Sequence, residues 1–175
     1  KITNLTKSYG KKKVLENLNC TIKTGSIYGL VGANGAGKST LLRIINDVFD
    51  KDSGTIEIDG NELIGDASLK QKLVFVPDDL FFFSGYTLLD MALFYKDMYE
   101  KFDLEYVKEL AGILKLNLNE KINNFSKGMK RQCALICAIA TNADYMFFDE
   151  TFDGVDPVVR TLLKKIIVKQ MEILQ

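Results

Sequence analysis

Nine consecutive residues constrain this chain more than any others: Gly32-Ala33-Asn34-Gly35-Ala36-Gly37-Lys38-Ser39-Thr40. The first eight fit the phosphate-binding pattern of glycine, four residues, then Gly-Lys-Ser/Thr. Glycines at Gly32, Gly35 and Gly37 let the backbone turn tightly and aim N–H groups at phosphate oxygens. Lys38 is placed to reach β- and γ-phosphates, and the Ser39 hydroxyl to hold Mg²⁺. The positive end of a following helix adds to anion binding. The flanks agree with a strand–loop–helix unit. Ile27-Tyr28-Gly29-Leu30-Val31 reads as a buried strand entering the loop, and Leu41, Leu42, Ile44 and Ile45 as the apolar face of a helix leaving it.

The 175 residues, 47% of them apolar, predict one domain with a core of its own, or one domain with a small inserted lobe. With 23 basic and 23 acidic residues, bulk charge gives no reason to expect a polyanion, so no direct nucleic-acid partner is expected. The longest apolar run, Ala134 to Ala140, is too short to span a bilayer. No secretory signal is expected, and a start at Lys1, almost within a strand pattern, reads as a piece of a longer protein. Cys20, Cys133 and Cys137 have no metal-ligand spacing and the chain has no histidine. Cys133 and Cys137 stand one helical turn apart in an apolar stretch, which predicts buried thiols and a reducing, cytosolic compartment.

Along the chain, Lys1 to Tyr9 and Lys13 to Ile22 read as two strands around a turn, and Ser53 to Gly60 as a half-exposed hairpin strand. Leu73-Val74-Phe75-Val76 reads as a short buried strand stopped by Pro77. Helical signals follow. Thr87 with Asp90 makes a capping-box-like start, Asp103 caps a second helix, and Ser126 opens a third. Tyr145-Met146-Phe147-Phe148 reads as a central parallel strand, and Asp156-Pro157 starts a last helix with Val159, Leu162, Leu163, Ile166 and Ile173 on its apolar stripe. The expected fold is α/β: a phosphate-loop NTPase core (1–78 and 143–175) with an antiparallel β part and an inserted helical lobe (79–142).

Four apolar residues followed by Asp149-Glu150 place a metal-side carboxylate at a strand end. Asp149 would hold Mg²⁺ through water, and Glu150 could polarise an attacking water. Taken alone, an acidic pair after a strand is more often a solvated loop start. Behind a phosphate loop, the functional reading is the better one.

With these stations in order, the chain resembles the ATP-binding cassette (ABC) ATPases that drive ABC transporters. Phe125-Ser126-Lys127-Gly128-Met129 is similar to the family signature. The resemblance implies that Ser126 and Gly128 cap the γ-phosphate of ATP bound to a facing subunit. Lys127 and Met129 stand where a glycine and a glutamine are usual, variants that hint at export. Tyr9 matches the aromatic that stacks on adenine, and Gly154-Val155-Asp156 the loop that crosses the dimer interface. Where the family has a glutamine after the strand, the chain has Pro77-Asp78-Asp79. Asp78 takes that place, as an acceptor only and on a shorter stem, and joins Ser39 and Asp149 as the third expected metal contact. The family's switch histidine has no counterpart in these residues.

The resemblance therefore implies ATP and Mg²⁺ as ligands, a second ABC subunit and a membrane-spanning subunit as partners, and the cytoplasmic face of a membrane as the location. It implies catalysis by Lys38 and Glu150, and a chain truncated at its carboxy end. Two alternatives stay open: a nucleotide-binding regulatory module with little turnover, and a soluble ABC-type ATPase not coupled to transport.

Overall fold

A computed structural model describes residues 1–63 and 65–173, with the side chains of 171–173 outside the description. Ile173, expected on the last apolar stripe, is therefore outside the described side chains. The chain divides into two compact units, Lys1–Lys70 and Gln71–Gln175.

The first unit is built on a four-stranded antiparallel sheet. Strand β1 (Ile2–Tyr9) turns through Gly10 and Lys11 into β2 (Lys12–Cys20), pairing Tyr9 with Lys12. After the helix α1 (Lys38–Ile45) come β3 (Ser53–Ile58) and β4 (Asn61–Glu62), and the strand order is β2-β1-β3-β4. Asp59 and Gly60, both at positive φ (52° and 80°), make the two-residue turn that suits the right-handed twist of a hairpin. Leu5 on β1, Ile56 and Ile58 on β3 and Leu41, Ile44 and Ile45 on α1 are buried. The short helix α2 (Ala67–Lys70) closes the unit.

One expectation fails here. Residues 27–31 form no strand and are exposed, Val31 to 94% and Ile27 to 67%. The reason lies in the sheet. A buried parallel strand needs a parallel neighbour, and the four strands of this unit pair only antiparallel, among themselves. The apolar run records what the segment would bury if paired; it does not supply the pair. Gly25, Gly29 and Gly32 also weaken any strand through this stretch.

The second unit holds a parallel pair, β5 (Leu73–Val76) and β6 (Tyr145–Phe148), aligned Leu73 to Tyr145 and Val76 to Phe148. Helices α3 (Leu88–Met98), α4 (Leu104–Ile113), α5 (Lys127–Ala140) and α6 (Pro157–Ile173) surround a dense core. Their starts follow local chemistry. Thr87 and Asp90 complete a capping box, Asp103 accepts from Tyr106 N at 2.9 Å, and Ser126 Oγ accepts from Met129 N at 3.2 Å. From Arg131 to Ala140 every residue of α5 is buried, so it is the central helix of this unit. Val107, Leu110, Leu135, Ile136 and Leu163 are at most 1% exposed in the same cluster.

Candidate functional site

The phosphate loop is held from one end. Gly37 caps α1 in the left-handed region (φ 93°), and a Cβ there would stand 2.9 Å from Val14 Cγ1 and 3.0 Å from Val14 O on β2. Both the backbone angle and the space exclude any side chain. Residues 32–36 are exposed, whereas Lys38, Ser39 and Thr40 are partly covered in the first turn of α1. The Lys38 ammonium donates to Gly32 O at 2.7 Å and to Ala33 O at 3.1 Å, folding back over the loop. Tyr9 is 47% exposed at the hairpin end, with Lys7 Nζ 5.4 Å from its ring centroid. Tyr9 is the last residue of β1. All these residues belong to the first unit.

The acidic residues belong to the second. Asp149 and Glu150 follow directly on β6, and Asp78 stands just past Pro77 after β5, at the carboxyl ends where ligands bind parallel sheets. Asp149 N donates to Val76 O at 3.0 Å, which extends the ladder by one bond. Asp149 is 3% exposed, and its Oδ2 is buried with no hydrogen-bond partner. A buried carboxylate oxygen left without a donor is costly unless a cation or water meets it. This orphaned atom fits a metal. No cluster of three or more His, Cys, Asp or Glu side chains forms a metal cage among the described residues. A cation here needs oxygens from elsewhere, which suits Mg²⁺, usually held by one or two carboxylates plus phosphates and water.

Glu150 is exposed and takes a left-handed backbone, φ 47°. That is a strained choice for a residue with a Cβ. Thr151 helps to hold it: its buried hydroxyl is 3.1 Å from Val76 O, to which it donates, and 3.3 Å from Asp149 O. Asp153 N donates back to Glu150 O at 3.1 Å. Glu150 is thus aimed outward by a fixed turn. Thr151 gave no sequence signal, because a single threonine after an acidic pair has no pattern of its own.

Asp78 makes a contact that its sequence position did not predict. Its Oδ1 accepts from Arg131 Nη2 at 2.6 Å, and the Arg131 side chain is only 3% exposed. The carboxylate expected at the metal is committed to an arginine on α5, a residue that the sequence did not single out.

Ser126 and Gly128 start α5, and Asp156 starts α6. A Cβ on Gly128 would lie 2.9 Å from Gly154 O, so the signature-like turn rests against the loop that follows Glu150. Asp156 Oδ1 accepts from Val158 N at 2.9 Å and Val159 N at 3.3 Å, which makes it the amino-terminal cap of α6. Cys133 and Cys137 are buried as expected. Burial pushes the Cys137 thiol up to about 12 and raises that of Cys133 as well.

Comparison with known proteins points to one family. The family model described as ABC transporter matches residues 15–153. The chain is 32% identical over 170 residues to the ABC transporter ATP-binding protein YtrB of Bacillus subtilis, covering 97% of this chain and 58% of that protein. It is 33% identical over 175 residues to the linearmycin resistance ATP-binding protein LnrL of the same organism, covering 96% and 56%. It spans less than two thirds of either relative. A solved ATP-binding subunit of an ABC transporter superposes with a TM-score of 0.87 at 26% identity, covering 98% of this chain and 74% of the other. The chain belongs to the ABC transporter family, with the phosphate-loop NTPase fold of its ATP-binding domains. Among the described residues no helix is long and apolar enough to cross a membrane.

Proposed function

We propose that this chain binds Mg·ATP and hydrolyses it as the ATP-binding part of an ABC transporter, driving transport, in the export direction, from the cytoplasmic face of the membrane. The observation that carries the reading is the orphaned, buried Asp149 Oδ2 beside an outward-aimed Glu150, at the ends of parallel strands. In this reading Lys38 exchanges the carbonyls of Gly32 and Ala33 for phosphate oxygens, and the loop amides from Gly32 to Thr40 cradle the charge. Ser39 and Asp149 hold Mg²⁺, whose role when bound is to neutralise charge on the β- and γ-oxygens. Glu150 orients water for in-line attack and accepts its proton. Tyr9 offers a face to adenine. Ser126, Gly128 and Asp156 serve the nucleotide of a second subunit, and a membrane-spanning subunit receives the motion. Residues 1–78 with 143–175 act as core and 79–142 as lobe. Lys127 and Met129 in the signature-like turn are the hint on which the export direction rests.

The engagement of Asp78 with Arg131 favours one rival, a nucleotide-binding regulatory module with little turnover. Glu150→Gln separates the two readings. The amide keeps shape but loses the base, so steady-state ATP hydrolysis by the full-length protein should fall at least about a hundredfold, with ATP still bound and dimer enriched on size-exclusion. A parent protein with no turnover would select the regulatory module; a variant that hydrolyses at the parental rate would remove Glu150 from the mechanism.

A further inference from the structure

The metal-side acids are not equivalent. Asp149 ends in a buried oxygen with no donor, whereas Asp78 is half exposed and ends on a buried arginine. Arg131 is 2% exposed in the second turn of α5, and its single described partner is Asp78 at 2.6 Å; its Nε and Nη1 have none. A guanidinium so placed depends on that carboxylate for its counter-charge. Turning Asp78 toward a metal would strand a desolvated cation, one of the costliest arrangements for a side chain.

We propose that Arg131 is a positioning residue: it holds Asp78 in a net-neutral ion pair, so that of the two aspartates Asp149 alone meets the metal, and it ties the 77–79 loop to the helix that begins at Ser126. The inference rests on the reading of Asp149 as the metal-side carboxylate. It assigns to Asp78 a role different from the one its sequence position predicts. The pair supplies hydrogen bonds at the strand ends without adding negative charge to the metal shell. Because Arg131 and Ser126 share α5, the 77–79 loop cannot move while this pair holds without carrying the strain into α5.

The test is charge cancellation, read by Mn²⁺ binding to the full-length protein with a non-hydrolysable ATP analogue, using electron paramagnetic resonance. Asp78→Asn leaves Arg131 as an unpaired cation and should weaken Mn²⁺ about tenfold. Arg131→Gln frees the carboxylate and should tighten Mn²⁺ by several-fold. The double variant Asp78→Asn/Arg131→Gln is a neutral amide pair and should return Mn²⁺ affinity to within about twofold of the parent. A double variant as weak as Asp78→Asn alone would show that Asp78 ligates the metal and would overturn the proposal, as would Asp78→Asn with parental affinity. Asp149→Asn is the control. If it leaves Mn²⁺ unchanged, the metal-site reading itself falls and this inference with it; if it abolishes binding, failure of the double variant counts against the ion pair only. Should Arg131→Gln not fold, the unaltered protein gives the answer through carboxyl ¹³C resonances. The Asp78 signal should keep its position when Mg²⁺ and the analogue are added, and a shift matching that of Asp149 would overturn the proposal.

Discussion

The two compact units carry their functional residues in opposite ways. In the first, the phosphate loop is an exposed arc pinned at Gly37 against Val14, with Lys38 swung onto nearby carbonyls. In the second, the acids stand on strand ends backed by a helix whose residues 131–140 are all buried. In the proposed function the difference follows from the chemistry each unit would serve. Phosphate is met by backbone N–H groups, which must be reachable and need only local conformation to point the right way. A metal-side carboxylate and a general base need fixed positions and partial desolvation, which only a packed core supplies. One unit is organised for access, the other for rigidity.

The largest test of that contrast is the cost of truncation in each unit. Ile136 is fully buried in the core of the second unit. Ile136→Ala should destabilise the protein by about 2–5 kcal/mol, the range for large-to-small changes at buried aliphatic sites. Val31, 94% exposed in the first unit, should cost less than about 0.5 kcal/mol when changed to alanine. Urea melts of both variants check this. A Val31→Ala loss above about 1 kcal/mol would mean that the 27–31 segment is sheltered in solution, as its sequence suggests, and would erase the contrast at that point.

The same contrast explains what was legible in the sequence. The 32–40 loop, the Thr87–Asp90 box and the caps at Asp103, Ser126 and Asp156 are written in nearby residues, because each satisfies backbone groups within six positions. The β5 and β6 strands were legible from continuous apolar runs and the stop at Pro77. What could not be read depends on distant pairing. Arg131 reaches Asp78 across 53 positions, and Thr151 reaches Val76 across 75. Nothing in the local pattern at either end announces such a contact. The 27–31 run misled for the same reason: its composition describes a buried strand, but burial needs a neighbour that the first unit does not provide. So the strand-end positions of Asp149 and Glu150 were legible, whereas the contacts of Thr151 with Val76 and of Arg131 with Asp78 were not.

A smaller effect is expected at the hairpin tip of the first unit. Tyr9 has Lys7 near one face and is nearly half exposed, so its ring contributes little to folding. Tyr9→Phe should bind ATP nearly as the parent does, and Tyr9→Ala should lose about 1–3 kcal/mol of binding, the range for a base stacked on an aromatic ring. Calorimetric titration with unchanged melting temperatures would place the ring in recognition. Equal affinity in all three proteins would make Tyr9 a strand-end residue only and leave the access-type unit with the loop alone.

The smallest effect compares one exposed acid from each unit. In the first, Asp52 accepts from Ser8 N at 2.7 Å and from Lys7 Nζ at 3.4 Å; its pKa is held below the usual 3.8, first by the Ser8 amide and then by Lys7. In the second, Asp90 accepts from Thr87 N at 2.9 Å and Thr87 Oγ1 at 2.7 Å, and its pKa is lowered by those hydrogen bonds, the amide first. Both pKa values are depressed on folding. Each carboxylate therefore contributes stability that is present above pH 3.8 and lost as pH falls through the lower, folded value. Salt distinguishes them. Lys7 acts on Asp52 as a charge across partly exposed surface, and a contribution of that kind is screened at about 1 M salt, where the Debye length is about 3 Å. Asp90 has no cation among its causes, so its hydrogen bonds persist. Carboxyl titration by ¹³C resonance in low and high salt should move the Asp52 midpoint up toward 3.8 and leave that of Asp90 in place. If both midpoints move together, the ion pair is not what sets the two acids apart. If neither moves, the Ser8 amide alone sets Asp52, and the two units anchor their surface acids by the same means.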